Sequence, residues 1–141
     1  MKINLMTDYA VRVIRCIYEN EKGIVTSNNM SQTEGIPHGV LMKVLRQLRE
    51  KGIVLSHQGR GEVSGGYTLG KSVKEITVLE IIELMEGAIM LENLRNKGNS
   101  TTTDVKEDAI LREYQRVSQI LRSEMKRNSL YEILNEGRMD K

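Results

Sequence analysis

Residues 35–52 constrain this chain more than any other stretch. Gly35-Ile36-Pro37 breaks the backbone, and Leu41, Val44, Leu45 and Leu48 then recur at the three- and four-residue spacing that puts them on one side of a helix. Gly39, Lys43, Arg46, Gln47 and Glu50 turn away from that stripe, and Gly52 supplies the left-handed residue that closes a helix. A shorter helix precedes it, with Ser27 as N-cap, running to Glu34 and stopped by Gly35. Two helices about a glycine-containing turn, the second basic on its outer face, form a helix-turn-helix pattern. Met30 is the one strongly apolar residue of the shorter helix, among low-propensity Asn28, Asn29, Ser31, Gln32 and Thr33, so something outside the segment must hold it.

The flanks extend this unit. Before it, Met6, Ala10, Val13, Ile14 and Ile17 predict an amphipathic helix from Leu5 to Asn20, closed at Gly23. After it, Ile53–His57 reads as a strand, Gly59–Gly66 as a loose turn and Tyr67–Leu69 as a returning strand, a hairpin placed where a wing would follow DNA beyond the groove. Thr77-Val78-Leu79-Glu80 has capping-box form and opens a helix that halts at Gly87. Residues 88–104 end in a polar run read as a loop. Asp104 then begins a long helix to near Arg127, with Ile110, Tyr114, Val117, Leu121 and Met125 in an alternating three-and-four stripe suited to lengthwise packing on another helix. The pattern alone fits a partner within the chain as well as a subunit interface. Ser129–Leu134 reads as a last short helix. The expected fold is mostly α with a small β-hairpin: a winged helix-turn-helix over residues 1–87, then linker, long dimerisation helix and short terminal helix over residues 88–141.

Composition excludes several classes. With one cysteine, Cys16, the chain forms no internal disulfide and supplies no metal-ligand set, which suits a reducing cytoplasm. The N-terminus lacks the apolar run of a signal peptide, and no stretch approaches the ~20 apolar residues of a membrane span, so no membrane partner is expected. Residues 1–75 carry eleven basic against seven acidic side chains, residues 76–141 ten against twelve; the basic front half suits a polyanion.

Double-stranded DNA is the partner this arrangement points to. Lys43 and Arg46 can contact phosphates or guanine edges, Gln47 an adenine, and Arg60 at the flexible hairpin tip a minor groove. A competing motif is Gly65-Gly66-Tyr67-Thr68-Leu69-Gly70-Lys71-Ser72, which matches the nucleotide-binding loop G-x-x-x-x-G-K-[ST]. That loop follows a buried parallel strand and opens a helix, whereas Tyr67-Thr68-Leu69 itself reads as a strand, so nucleotide chemistry is the lesser reading. A protein-interaction module that uses the long helix and leaves the third helix idle is a further alternative. His38 and His57 are too isolated for a metal site or catalytic base, and no constellation for catalysis is present, so the chain is not expected to be an enzyme. Cys16, beside the first helix's apolar stripe, is expected to be a buried thiol.

Several segments then resemble, in order, the Rrf2 family of bacterial winged-helix regulators: Thr7-Asp8-Tyr9-Ala10-Val11-Arg12, Gly35-Ile36-Pro37, Leu41 through Leu48 with Lys51-Gly52-Ile53-Val54, Gly65-Gly66-Tyr67-Thr68-Leu69, Glu75-Ile76-Thr77 and Glu86-Gly87. The resemblance covers residues 1–87. It implies a homodimer with wing and third helix on DNA and the long helix crossing to the partner subunit. It also implies recognition positions at His38, Gly39, Val40, Met42 and Lys43, with the family's wing arginine falling on Gln58. Cluster-binding members carry cysteines in the stretch matching residues 88–105, and this chain has none there, so no cofactor is expected and Asp8 is expected to be structural. The wing is longer than the family's usual turn and carries Gln58 in place of the arginine, which leaves two readings open: Arg60 takes over that contact, or the wing docks differently. The implied function is repression from a palindromic promoter site, with half-sites ~34 Å apart, under a signal that the sequence leaves open between a small molecule, a partner protein and Cys16 oxidation.

Overall fold

A computed structural model describes residues 4–21, 23–62, 65–87 and 105–136. The elements are α1 (Leu5–Tyr18), α2 (Ser27–Glu34), α3 (His38–Glu50), β1 (Val54–His57), β2 (Gly66–Leu69), α4 (Val78–Glu86), α5 (Val105–Lys126) and α6 (Leu130–Leu134). The expected loop over residues 88–104, the helix start at Asp104 and part of the wing tip, residues 63–64, lie outside the described residues.

Helix α1 is the centre of the packing. Its Ala10, Val13, Ile14 and Ile17 are buried against Leu41, Val44, Leu45 and Leu48 of α3 and Ile81 of α4 in a single cluster. Met30 of α2 is fully buried in the same cluster, and it is the outside anchor that this polar helix needs. The cap of α2 falls one residue earlier than the sequence suggests. Thr26, not Ser27, has extended backbone and accepts a hydrogen bond from the Asn29 N–H. The reason is a strand contact just upstream. The Val25 N–H donates to the Tyr67 carbonyl at 3.0 Å and the Tyr67 N–H to the Val25 carbonyl at 2.8 Å, so the backbone is extended up to the cap.

Val25 thereby gives the hairpin a third edge. Strands β1 and β2 pair antiparallel, from Val54 opposite Leu69 to His57 opposite Gly66, and Ile53 is a buried plug ahead of the strand rather than its first residue. Gly66 lies where three backbones converge: a Cβ there would come within 2.8 Å of the Val25 carbonyl oxygen, at a φ of +155°. Glycine is the residue that fits.

Helix α5 runs back along α4. Arg122 pairs with Glu83, and Ser129 meets Thr77 at the α4 N-cap. Because α5 has 22 residues and α4 has nine, the N-terminal half of α5 extends past Gly87. The chain then returns to the core. The Leu130 N–H donates to the Ile76 carbonyl at 2.8 Å, the Tyr131 N–H donates to the Val73 carbonyl at 3.1 Å, and the Leu130 side chain is fully buried. Replacing Leu130 by Ala leaves a cavity under α6 and is expected to lower stability by about 2–5 kcal/mol in urea unfolding; an unchanged midpoint would mean that α6 does not close the core.

Candidate nucleic-acid interface

The turn between α2 and α3 is pinned from several sides. Gly35 takes the left-handed conformation at φ +65°, Ile36 beside it is buried, and the Ser31 hydroxyl donates to the Ile36 carbonyl at 2.7 Å. Arg12 of α1 donates to the Glu34 carbonyl at 3.3 Å, while Arg15 pairs with the Glu34 carboxylate at 3.2 Å. These contacts fix the angle at which α3 leaves the body. Since Leu41, Val44, Leu45 and Leu48 face inward, the outward surface is settled by helix geometry.

That surface carries most of the expected residues. His38, Gly39, Met42, Lys43 and Arg46 are exposed, and Val40 is half-buried on the shoulder. The Arg46 guanidinium, 73% exposed, leans on Glu50 at 3.3 Å, an exposed pair that a phosphate can displace. Lys43 has no ion-pair partner among the described residues. Pro37 precedes α3 without a side-chain cap and no acidic residue occupies its first turn, so the helix's positive end faces solvent unscreened.

Gln47 departs from the expectation that it turns away from the protein. It is half-buried and its Oε1 is shut off from solvent, accepting no hydrogen bond among the described residues. The position lies on the shoulder of the apolar stripe, too close to the core for its amide to project freely. The exposed outer face of α2, with Asn28, Asn29, Gln32 and Thr33, was passed over in the sequence. Its signal was present as a run of neutral hydrogen-bonding side chains, the type that contacts phosphate oxygens.

The wing lies beyond α3, with Gln58 and Arg60 both exposed. A Cβ on Gly65 would sit 2.5 Å from the His57 carbonyl oxygen, so the two legs touch through glycine just below the tip. The same segment rules out the nucleotide-loop reading. Residues Gly66–Leu69 of the motif form an antiparallel strand, and the Lys71 ammonium is held by Glu80 at 3.0 Å. His57 bonds Thr68 across the strands at 2.8 Å.

Helix α5 presents Ile110, Tyr114 and Val117 to solvent, with Leu121 and Met125 half-buried further along the stripe. Ile120, which the sequence stripe omits, is 56% exposed beside it. The other flank, with Leu111, Gln115, Ser118 and Arg122, is the covered one.

The sequence profile of the Rrf2 family, described as an iron-dependent transcriptional regulator, matches residues 3–136. The IscR transcriptional regulator of Cronobacter sakazakii is 31% identical over 99 residues, which cover 70% of this chain and 59% of that protein. This chain thus spans well under two thirds of the length of the curated relatives it matches. Among solved structures, CymR of B. subtilis, named as the global cysteine regulator, superposes with a TM-score of 0.72 at 23% identity, covering 96% of this chain and 98% of that one. IscR of T. potens gives 0.71 at 20% identity over 97% and 88%. At these identities the structural likeness is one of fold.

Iron does not fit the side chains described. Cys16 is the chain's sole cysteine, half-buried on α1, and a cluster needs several thiolates. Among the described residues no three His, Cys, Asp or Glu side chains converge on a point. Burial first, then the nearby Glu34 carboxylate, push the Cys16 thiol above its ordinary range. Alkylation of the folded protein at pH 8 should therefore run slower than in urea, and thiol titration should move that rate upward only at more alkaline pH; equal rates would show that the thiol is not shielded.

Proposed function

Because the chain belongs to the Rrf2 family of transcriptional regulators, we propose that it binds duplex DNA as a homodimer in the cytoplasm, with α3 in the major groove and the wing along the flanking backbone. The observation that carries the reading is the outward face of α3. It is aimed by the Arg12, Arg15 and Glu34 contacts, it has at Lys43 an ammonium without an ion-pair partner among the described residues and at Arg46 a displaceable guanidinium, and its positive helix end carries no capping side chain. The family is one of regulators, not enzymes. No described helix is long and apolar enough to cross a membrane.

The second half of the proposal concerns assembly. Ile110, Tyr114, Val117, Leu121 and Met125 form the stripe on which a second copy of α5 packs, since Ile110, Tyr114 and Val117 are large apolar side chains left exposed among the described residues. A twofold dimer would set two copies of α3 about 34 Å apart, on half-sites one helical turn apart in a palindromic promoter, and would repress by occupying it. Residues 1–87 form the DNA-binding unit and residues 88–141 the assembling one.

Fluorescence anisotropy with a duplex selected from a random pool tests the interface. Lys43→Ala and Arg46→Ala should each weaken binding by about 1–3 kcal/mol, and wild-type affinity should fall steeply as salt rises. Failure to select or bind any duplex would favour the protein-interaction module, and duplex binding indifferent to both substitutions would place the DNA interface away from this face of α3. Val117→Glu should turn a dimer into a monomer by sedimentation and weaken DNA binding with it; a monomeric wild type would remove the dimer.

A further inference from the structure

Two residues on α3 are unexplained by the fold. Gly39 lies in the first turn of the helix, where glycine weakens a helix relative to alanine. Its φ is not positive, and an added Cβ would meet nothing within 4 Å, so neither backbone conformation nor internal packing requires glycine there. Met42, a turn later on the same side, is a large apolar side chain 39% exposed in the middle of a basic face. Protein interiors absorb such side chains readily, yet this one points outward beside Lys43 and Arg46.

We propose that Gly39 and Met42 together read the 5-methyl group of a thymine. The inference rests on α3 being the helix that enters the groove. The thymine methyl is the one apolar group that a base pair of unmodified DNA displays on the major-groove edge, and an apolar side chain reads it by removing both surfaces from water. Methionine suits the task because its unbranched thioether adapts to a small target at variable depth. Gly39 supplies the clearance: with no side chain on the leading turn, the helix backbone can approach the groove floor closely enough for Met42 to reach a methyl. Lys43 and Arg46, close by on the same exposed face, are left for phosphates or guanine edges.

The test uses a duplex that the wild-type protein selects from a random pool, with each thymine replaced in turn by uracil. Uracil keeps every hydrogen-bonding group of thymine and lacks the methyl alone. Wild-type affinity should fall about fourfold at the contacted thymine, the value of one buried methyl, while Met42→Ala binds the thymine and uracil duplexes equally. Because Met42 lies outside the buried core, the variant should keep a cooperative melt and stay folded at the assay temperature. Gly39→Ala should raise the melting temperature by about 4 °C and at the same time lose DNA affinity, opposite signs that a purely structural glycine would not produce. If the wild type selects a duplex but tolerates uracil at every position, or if Gly39→Ala binds undiminished, the methyl contact is overturned and the regulator reading stands. If no duplex is selected, both fall.

Discussion

Burial of Leu41, Val44, Leu45 and Leu48 against α1 decides the orientation of everything on α3. Each of these side chains, moved from water to the core, contributes about 1.5–3 kcal/mol, so rotating the helix about its axis to present another face would forfeit most of its packing energy. A surface salt bridge is worth an order of magnitude less in sum, which is why Arg46 and Glu50 can exchange partners while the apolar stripe cannot. The polar face is therefore presented because the apolar face has no alternative. Arg12 and Arg15 on Glu34, with Gly35 and Ile36 in the turn, then fix where along α1 that face emerges.

The same core ties the end of α5, through α6, to α1 and α3. Leu130 enters the cluster that holds α1 and α3, and the backbone bonds of Leu130 to Ile76 and of Tyr131 to Val73 fasten α6 to the segment leading into α4. Arg122 on Glu83 adds a polar tie along the α4 flank. At the other end of α4, the Glu86 carboxylate accepts from the Thr7 hydroxyl at 2.6 Å and from the Asn4 N–H at 2.9 Å, joining the end of α4 to the start of α1. Displacement of α5 relative to α4 would thus be felt by α1, and through α1 by the recognition surface. In the proposed dimer, a linkage of this kind would let the spacing of two copies of α3 be set by how two copies of α5 pack.

Legibility in the sequence followed the range of the interactions. The stripes of α1, α3 and α5 repeat within a few residues, and the Thr77 cap is a local motif, so a single sequence displays them. The pairing of Val25 with Tyr67 joins residues far apart in the chain and leaves no periodic trace beyond two β-branched residues after Gly23. It was missed, and the Thr26 cap with it. The short terminal helix that holds Leu130 was legible from its own residues, but nothing in that neighbourhood encodes the hole that the Leu130 side chain fills. Gln47 was misplaced because a residue on the border of an apolar stripe belongs to either face until its neighbours are known. The nucleotide-loop match failed for the opposite reason: the motif specifies only its glycines, Lys71 and Ser72, and is blind to the strand that Tyr67-Thr68-Leu69 already signals between them.

Chemical interference gives the most direct test of the central claim, that α3 enters the major groove from a twofold assembly. Guanines methylated at N7, which blocks the major-groove edge, would be depleted from bound duplex in two clusters about 34 Å apart along the helix axis. Depletion confined to minor-groove positions, or a single cluster with no counterpart one turn away, would contradict the account.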